Sequence, residues 1–299
     1  MCMKNYWLTL SFIICLASCN SHSPHWEAIS QVESYIEERP DSALVVLEQI
    51  VPSELSSKEE KAKYSLLYSM ALDKNFVDKT DFEVLQPAID YYKDNGSATD
   101  KLRTYYYQGR IYQNAGNDAL AMECFVNAIY NGKESNDILT KARTYFAQSH
   151  IYYSLYEWDN FIEANKNSAL LFKESGMINS YANCLNRIIN GYTLKEEPDS
   201  AWPYIYECKT LLQDMSISRL TEFYASYLTY LTNFGTEQEM NEILQEYISA
   251  VPSSMIDRLT IANAYLKMNN YNEALSVLSE YDTSSDVAKE RKYLSIISD

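Results

Sequence analysis

Histidines and carboxylates are the side chains of this sequence from which acid–base or metal chemistry could be built. The chain has three histidines, His22, His25 and His150, and neither cysteine nor carboxylate accompanies them at metal-ligand spacing. No HExxH, GxSxG or phosphate-loop motif occurs. Acidic neighbours such as Glu196 and Glu197 diverge by about 100° on a helix. We therefore expect no catalytic site, no metal and no cofactor.

Composition restricts the classes of fold and partner. The 299 residues carry 25 basic and 41 acidic side chains, a net charge of −16, which repels nucleic-acid phosphates. Seven glycines and seven prolines are few for this length and favour helices joined by short turns. Five glycines follow long amphipathic runs and predict helix ends: Gly96, Gly116, Gly132, Gly176 and Gly235. We expect an all-α protein that does not bind nucleic acid.

The N-terminus has the pattern of a secretory leader. Lys4 precedes an apolar run from Trp7 to Leu16, which at about 15 Å of helix is too short to span a bilayer. The run ends in Leu16-Ala17-Ser18-Cys19, which resembles the lipobox of bacterial lipoproteins. The resemblance implies cleavage before Cys19 and acylation of that residue, which anchors the chain stably when several acyl chains are present.

The predicted cleavage before Cys19 divides the chain into a signal peptide at 1–18, a tether at 19–27 and a folded body at 28–299. Asn20 is not the aspartate of the inner-membrane retention signal, so we expect an outer-membrane anchor facing the periplasm. The alternative is an ordinary secreted protein in which Cys19 is incidental.

Three further cysteines lie in the predicted body: Cys124, Cys184 and Cys208. Cys208 falls on a packing position of the repeat described next, and Cys184 falls on the facing helix. We expect thiols packed as small apolar side chains. The alternative is a Cys184–Cys208 disulfide, which an oxidising compartment would permit.

A helical pattern recurs every 34 to 42 residues. Its first copy is Ala43, Leu47 and Ile50, and this +4/+7 spacing places the three on one helix face. In one degenerate copy the +4 and +7 positions are Asn165 and Ser168. The leading residues of the other six copies are Leu85, Ala121, Phe161, Ala201, Met240 and Ala274. A period of this length predicts stacked helical hairpins.

Prolines mark the starts of some of these helices. The tetrapeptide Pro-Asp-Ser-Ala begins at Pro40 and again at Pro198. We expect the proline to end the preceding helix and the aspartate to cap the next one. Pro87 lies inside a second helix, which we expect it to kink or delay.

The segment from 104 to 130 resembles the tetratricopeptide repeat (TPR) family. The residues that carry the resemblance are Tyr105, Gly109, Tyr112, Gly116, Ala121, Phe125 and Ala128. A second copy has Ala262, Tyr265, Tyr271 and Ala274, and the resemblance covers roughly residues 28 to 282. It implies a TPR-like α-solenoid of about seven helical hairpins, and the last sixteen residues suit a C-terminal capping helix.

More loosely, the phrases PDSAL, KYSLLYSMALDK and AIDYY resemble the extracytoplasmic TPR halves of some bacterial membrane-bound regulators. In those regulators a membrane helix and an intracellular output domain follow. We do not expect a direct regulatory output from this chain.

In the TPR family the first helix of each hairpin lines a concave groove. Carried onto this sequence, the groove-facing positions are Arg103, Tyr106, Arg110, Asn114, Arg143, Phe146, His150, Tyr153, Asn183, Arg187 and Asn190. Guanidinium groups bind carboxylates and asparagine amides hold extended backbones, partly as in the carboxylate clamps of peptide-binding TPRs. We expect a groove for an acidic segment or a C-terminal carboxylate. The alternative is that the arginines pair with local acids and only stabilise the fold.

These observations predict a lipid-anchored periplasmic scaffold or adaptor that binds a protein or peptide partner. The alternative function is a glycan-binding lipoprotein that uses aromatic rings of the groove. Trp158 and Trp202 are the candidate platforms for a sugar, although packing explains both.

Overall fold

The computed structural model describes residues 23–279 and is all-α over that range. The predicted leader, Cys19 and the predicted capping helix lie outside the described residues. The first unit of the fold contains helices α1 Trp26–Tyr35, α2 Pro40–Glu48, α3 Lys58–Lys74, α4 Gln86–Asn95, α5 Ala98–Asn114 and α6 Asp118–Asn131. The second contains α7 Ile138–Ser154, α8 Trp158–Glu174, α9 Ile178–Leu194, α10 Pro198–Thr210, α11 Ile217–Phe234, α12 Glu237–Ala250, α13 Arg258–Lys267 and α14 Tyr271–Ser279.

The helices pack in consecutive pairs, each an odd-numbered first helix against the even-numbered second helix that follows it. Within the first unit, which ends at Asn136, the first helices α1, α3 and α5 also pack successively against one another. In the second unit α9, α11 and α13 do the same. The predicted arrangement of seven TPR-like helical hairpins is thus confirmed.

The predicted packing positions form the core of every pair. All seven leading residues, from Ala43 to Ala274, are at most 4% exposed. Of the +4 positions, only Ile89 is half-buried rather than buried. Its helix α4 begins at Gln86 with Pro87 in the first turn, so this proline delays the helix instead of kinking it.

The Pro-Asp-Ser-Ala segments differ from the prediction. Pro40 and Pro198 are the first residues of α2 and α10, where a missing N–H costs nothing because no intrahelical acceptor exists for it. Asp41 and Asp199 therefore lie in the first turn and make no side-chain capping bond. They stabilise the helix N-terminus through its dipole instead.

The start of the described chain is fixed by a buried carboxylate. Glu60 is 0% exposed and accepts hydrogen bonds from the backbone N and the Oγ of Ser56, both at 2.8 Å. It also accepts from the backbone N of Ser23 at 3.4 Å and from the Ser23 Oγ. Burial would raise the pKa of Glu60, but these four bonds favour the carboxylate and lower it. The chain is thus held to α3 from Ser23 onward.

The three body cysteines are buried free thiols, as expected. The Cys184 Sγ donates to the Ser168 Oγ at 3.4 Å, and the Cys208 Sγ donates to the Asn186 Oδ1 at 3.7 Å. Burial raises the pKa of Cys184 to about 11 and that of Cys124 to about 12, so neither is a ready nucleophile.

All five predicted glycine helix ends are confirmed, but the turn inside a helix pair does not depend on glycine. In five pairs the second residue after the first helix is left-handed, with φ between 58° and 74°. These residues are Phe76, Gly116, Tyr156, Glu196 and Asn269. In each case the next backbone N–H donates to a carbonyl five residues back, as Asn117 does to Tyr112 at 2.9 Å. This is the Schellman closure, and only Gly116 adopts it without steric cost.

We predict opposite effects of exchanging glycine and non-glycine residues at these turns. Glu196→Gly should raise the free energy of unfolding by about 0.5–1 kcal/mol, because glycine tolerates φ of 58°. Gly116→Ala should lower it by about 1 kcal/mol through conformation alone, since no atom lies within 4 Å of the added Cβ. Urea denaturation measures both, and a destabilised Glu196→Gly variant would contradict this account of the turns.

Candidate ligand-binding surface

The predicted groove residues lie on three first helices. Arg103, Tyr106, Arg110 and Asn114 are on α5 of the first unit. Arg143, Phe146, His150 and Tyr153 are on α7, and Asn183, Arg187 and Asn190 are on α9, both in the second unit. The environments of these residues differ sharply between the two units.

Arg103 of the first unit is neutralised by the protein itself. Its Nη1 lies 2.9 Å from the Glu33 Oε1, and the Glu33 Oε2 lies 2.8 Å from the Lys63 Nζ. Burial would raise the pKa of Glu33, but the two cations lower it. This network ties α5 to α1 and α3 and leaves the Arg103 charge compensated.

The other groove positions of α5 are also engaged. The Arg110 Nε lies 3.0 Å from the Asp73 Oδ1, and the Asn114 amide donates to the Lys79 carbonyl at 3.2 Å. Tyr106 is 6% exposed. The interpretation in which arginines pair with local acids therefore describes Arg103 and Arg110.

Arg187 of the second unit is held differently. Its Nε donates to the Asn165 Oδ1 at 3.1 Å and its Nη2 donates to the Ser149 Oγ at 3.3 Å. Both acceptors are 0% exposed. The guanidinium carbon lies 5.0 Å from the Phe146 ring centroid and 4.9 Å from that of Phe161, within cation–π range. The side chain of Arg187 thus enters a polar slot between α7 and α8, beside two aromatic rings.

The charge of Arg187 has no counter-ion in the part of the chain that the structure describes. No carboxylate of residues 23–279 forms an ion pair with it, and its Nη1 has no hydrogen-bond acceptor there. Burial lowers the pKa of Arg187, although an arginine remains protonated. An uncompensated, half-buried cation in a protein of net charge −16 is unfavourable unless an anion approaches it.

Two asparagines flank Arg187 on α9. Asn183 and Asn190 precede and follow it by four and three residues, so all three share one helix face. Both asparagines are half-buried, and neither side chain makes a hydrogen bond within residues 23–279. We call Asn183, Arg187 and Asn190 the α9 stripe. Its amides offer donors and acceptors that suit a peptide backbone.

The groove residues of α7 adjoin the α9 stripe, because the Phe146 ring lies against the guanidinium group of Arg187. The Phe146 ring meets the His150 ring edge-on at 4.9 Å. Tyr153 is 50% exposed, with its ring 5.4 Å from that of Phe161. Arg143 and His150 both have partners in the structure, so neither is a free group.

The residues that receive Arg187 were missed as functional candidates. Asn165 is the +4 position of the degenerate repeat copy. The other six copies have an apolar residue at this position. Asn165 is polar because Arg187 reaches it from α9, twenty-two residues later. The break in the apolar pattern was the available signal. Its cause was invisible, since a local pattern does not show which distant side chain fills the gap.

The described residues contain neither a metal-binding group nor a membrane-spanning helix. No group of three or more histidine, cysteine, aspartate or glutamate residues among 23–279 could hold a metal ion. Within the same range, no helix combines the length and the apolar character that crossing a bilayer requires.

We predict that Arg187 contributes little to the stability of the ligand-free protein. Arg187→Met removes a poorly compensated buried charge, while Asn165 and Ser149 retain bonds to the Phe161 and Phe146 carbonyls at 2.7 Å. Its free energy of unfolding should stay within about 1 kcal/mol of wild type or rise.

The matched control is Arg110→Met, which deprives the part-buried Asp73 of its cation and should cost about 1–3 kcal/mol. Urea denaturation of the two variants compares them directly. A larger loss for Arg187→Met than for Arg110→Met would assign Arg187 a structural role.

Comparison with known proteins gives a likeness of fold only. No family model matches the sequence, and no curated protein matches it. Among solved structures, the chain is similar to NprR, in a crystal structure described as a complex with its cognate peptide NprX. The TM-score is 0.56 at 17% sequence identity, and the superposition covers 91% of this chain and 81% of the NprR chain.

Proposed function

We propose that this chain is a lipid-anchored scaffold or adaptor of the bacterial cell envelope, which binds a protein or peptide segment through the α9 stripe. The ligand presents a carboxylate, from an acidic side chain or from a C-terminus, to Arg187. The observation that carries the proposal is the lack of a counter-ion for Arg187 among the described residues. NprR, which shares the fold, is described in complex with a peptide, and this supports the class of ligand.

Electrostatics favours Arg187 over the other groove arginines as the anchor. Arg103 and Arg110 already have carboxylate partners at 2.9 and 3.0 Å, so a ligand carboxylate would have to displace those acids. At Arg187 it would displace no acid of the described residues, among which the Nη1 has no acceptor. A charge-assisted hydrogen bond of this kind is about twice as strong as a neutral one.

The asparagines of the stripe explain how a peptide could be bound beyond its carboxylate. Asn183 and Asn190 lie on either side of Arg187 along α9, and each has an unused amide. An extended backbone has both a donor and an acceptor at each residue, which one side-chain amide can satisfy together. Recognition of this kind requires an extended ligand and tolerates many side chains.

The anchor is proposed from the sequence and is compatible with the fold. Cys19 lies four residues before Ser23, which is bonded to the buried Glu60. Four residues span at most about 14 Å, so acylation of Cys19 would hold the first unit close to the lipid headgroups. An outer-membrane anchor facing the periplasm remains our prediction.

The glycan alternative finds less support. Trp202 is 47% exposed but lies on α10, a second helix, and its ring is inclined by 59° and 34° to Tyr227 and Tyr230. Trp158 is half-buried among the rings of Tyr153, Tyr156 and Phe161. Neither is an open, flat platform on a first helix, and we do not propose sugar binding.

Site-specific photo-cross-linking in cells tests the proposed surface. A photo-reactive amino acid at Asn190 should capture a partner, because this residue adjoins Arg187 on α9. The same probe at the exposed Thr229 of α11 should not. Arg187→Gln should abolish capture, whereas Arg219→Gln should preserve it, since Arg219 is already paired with Glu222. Capture that survives Arg187→Gln would contradict the proposal.

The same cells test the anchor separately. Cys19→Ala should move the chain from the membrane fraction to the soluble fraction and remove the lipid mass from the intact protein. A membrane-bound Cys19→Ala variant would argue against acylation there, while leaving the cross-linking result to decide on the ligand.

A further inference from the structure

A cavity between α4 and α5 in the first unit has no role in the proposed function. Its volume is about 170 Å³. Five polar side chains line it: Lys93, Lys101, Thr104, Tyr105 and Gln108. The remaining walls are apolar and come from Ile89 and the Tyr92 ring.

The cavity is separate from the predicted groove positions of α5. Residues 101, 104, 105 and 108 follow one another at +3, +4 and +7 and so form a single helix face. Arg103, Tyr106 and Arg110 belong to the faces beside and opposite it, and none of them lines the cavity. A ligand here would leave those residues untouched.

Thr104 is the observation that points to a ligand. The residue is only 5% exposed, and its Oγ1 has no hydrogen-bond partner among residues 23–279. Leaving such a hydroxyl unsatisfied costs about 1–3 kcal/mol. Helical threonines commonly donate to the carbonyl four residues back, as Thr144 does to Thr140 at 2.7 Å. Thr104 makes no such bond.

The two lysines set the charge of the site. Neither Lys93 nor Lys101 forms an ion pair or hydrogen bond with another residue of the described chain, and no carboxylate lines the cavity. The cavity wall therefore carries two ammonium groups and no carboxylate, although the protein has 41 acidic residues. Tyr105 and Gln108 likewise have unused polar groups at this surface.

We propose that this cavity binds a small organic carboxylate whose apolar body is about the size of one ring. A cavity of about 150 Å³ accommodates a benzene-sized molecule, so the available volume suits such a body. The ligand carboxylate lies between Lys93 and Lys101. Its second oxygen accepts from the Thr104 hydroxyl once rotation of that side chain turns the oxygen, which is buried in the ligand-free structure, toward the cavity. The Tyr92 ring and Ile89 contact the apolar part. The small apolar walls disfavour inorganic phosphate, which would keep most of its hydration.

Benzoate is the probe for this site, with benzamide as its neutral counterpart. Titration of the full chain, followed by the NMR signals of the Thr104 and Ile89 methyl groups, should show saturable binding of benzoate. Benzamide should bind about tenfold more weakly, because it lacks the charge that the two ammonium groups recognise. Lys93→Gln and Lys101→Gln should each weaken benzoate binding by about fivefold or more.

The matched control is Lys58→Gln, which removes an exposed lysine of the same unit that lies outside the cavity and should leave benzoate affinity unchanged. Circular dichroism of each variant verifies folding, which substitution of these lysines should not disturb. Equal affinity for benzoate and benzamide, or no saturable shift of the Thr104 methyl, would overturn the proposal. So would an equal loss of affinity in Lys58→Gln.

Discussion

The close approach of adjacent helices, both within a pair and between successive pairs, is the constraint on which the rest of this structure depends. At Gly109 of α5 an added Cβ would lie 2.5 Å from the Phe125 ring of α6, in the same pair, and at Gly191 of α9 it would lie 2.6 Å from Ile162 of α8, the second helix of the preceding pair. Such contacts leave no space for a larger side chain. The leading position of a second helix is alanine in four of its seven copies, and each of these small side chains is fully buried. With the pairs closed in this way, the outward residues of the first helices become available for binding.

Charge compensation then decides what those outward residues do. Arginines occur at corresponding faces of α5 and α9, yet Arg103 and Arg110 meet Glu33 and Asp73. Among the described residues, Arg187 meets only neutral acceptors and aromatic rings. The first pattern joins neighbouring helices within a unit. The second pattern keeps a positive charge available in a strongly acidic protein. The same type of residue at the same type of position therefore serves two purposes, according to the acids that adjacent helices supply.

The fold was largely predictable because it follows from local periodicity. The +4/+7 pattern led by Ala43, Ala121 and Ala201 is a property of one helix at a time, and a repeat of it requires no knowledge of distant contacts. The candidate site was less predictable, because its character depends on pairs far apart in sequence, such as Arg103 with Glu33. The role of Asp199 was misassigned for a subtler reason. The position of a helix start shifts by one residue when a proline can occupy its first turn.

The central functional claim is that Arg187 receives a ligand carboxylate. The most direct measurement is a thermodynamic cycle with the partner peptide that cross-linking identifies, compared with the same peptide in which the carboxylate is replaced by an amide. On wild-type protein, amidation should weaken binding about tenfold or more; on Arg187→Gln, it should make little further difference. Equal losses on amidation in both proteins would show that the carboxylate is recognised elsewhere, and would contradict the account.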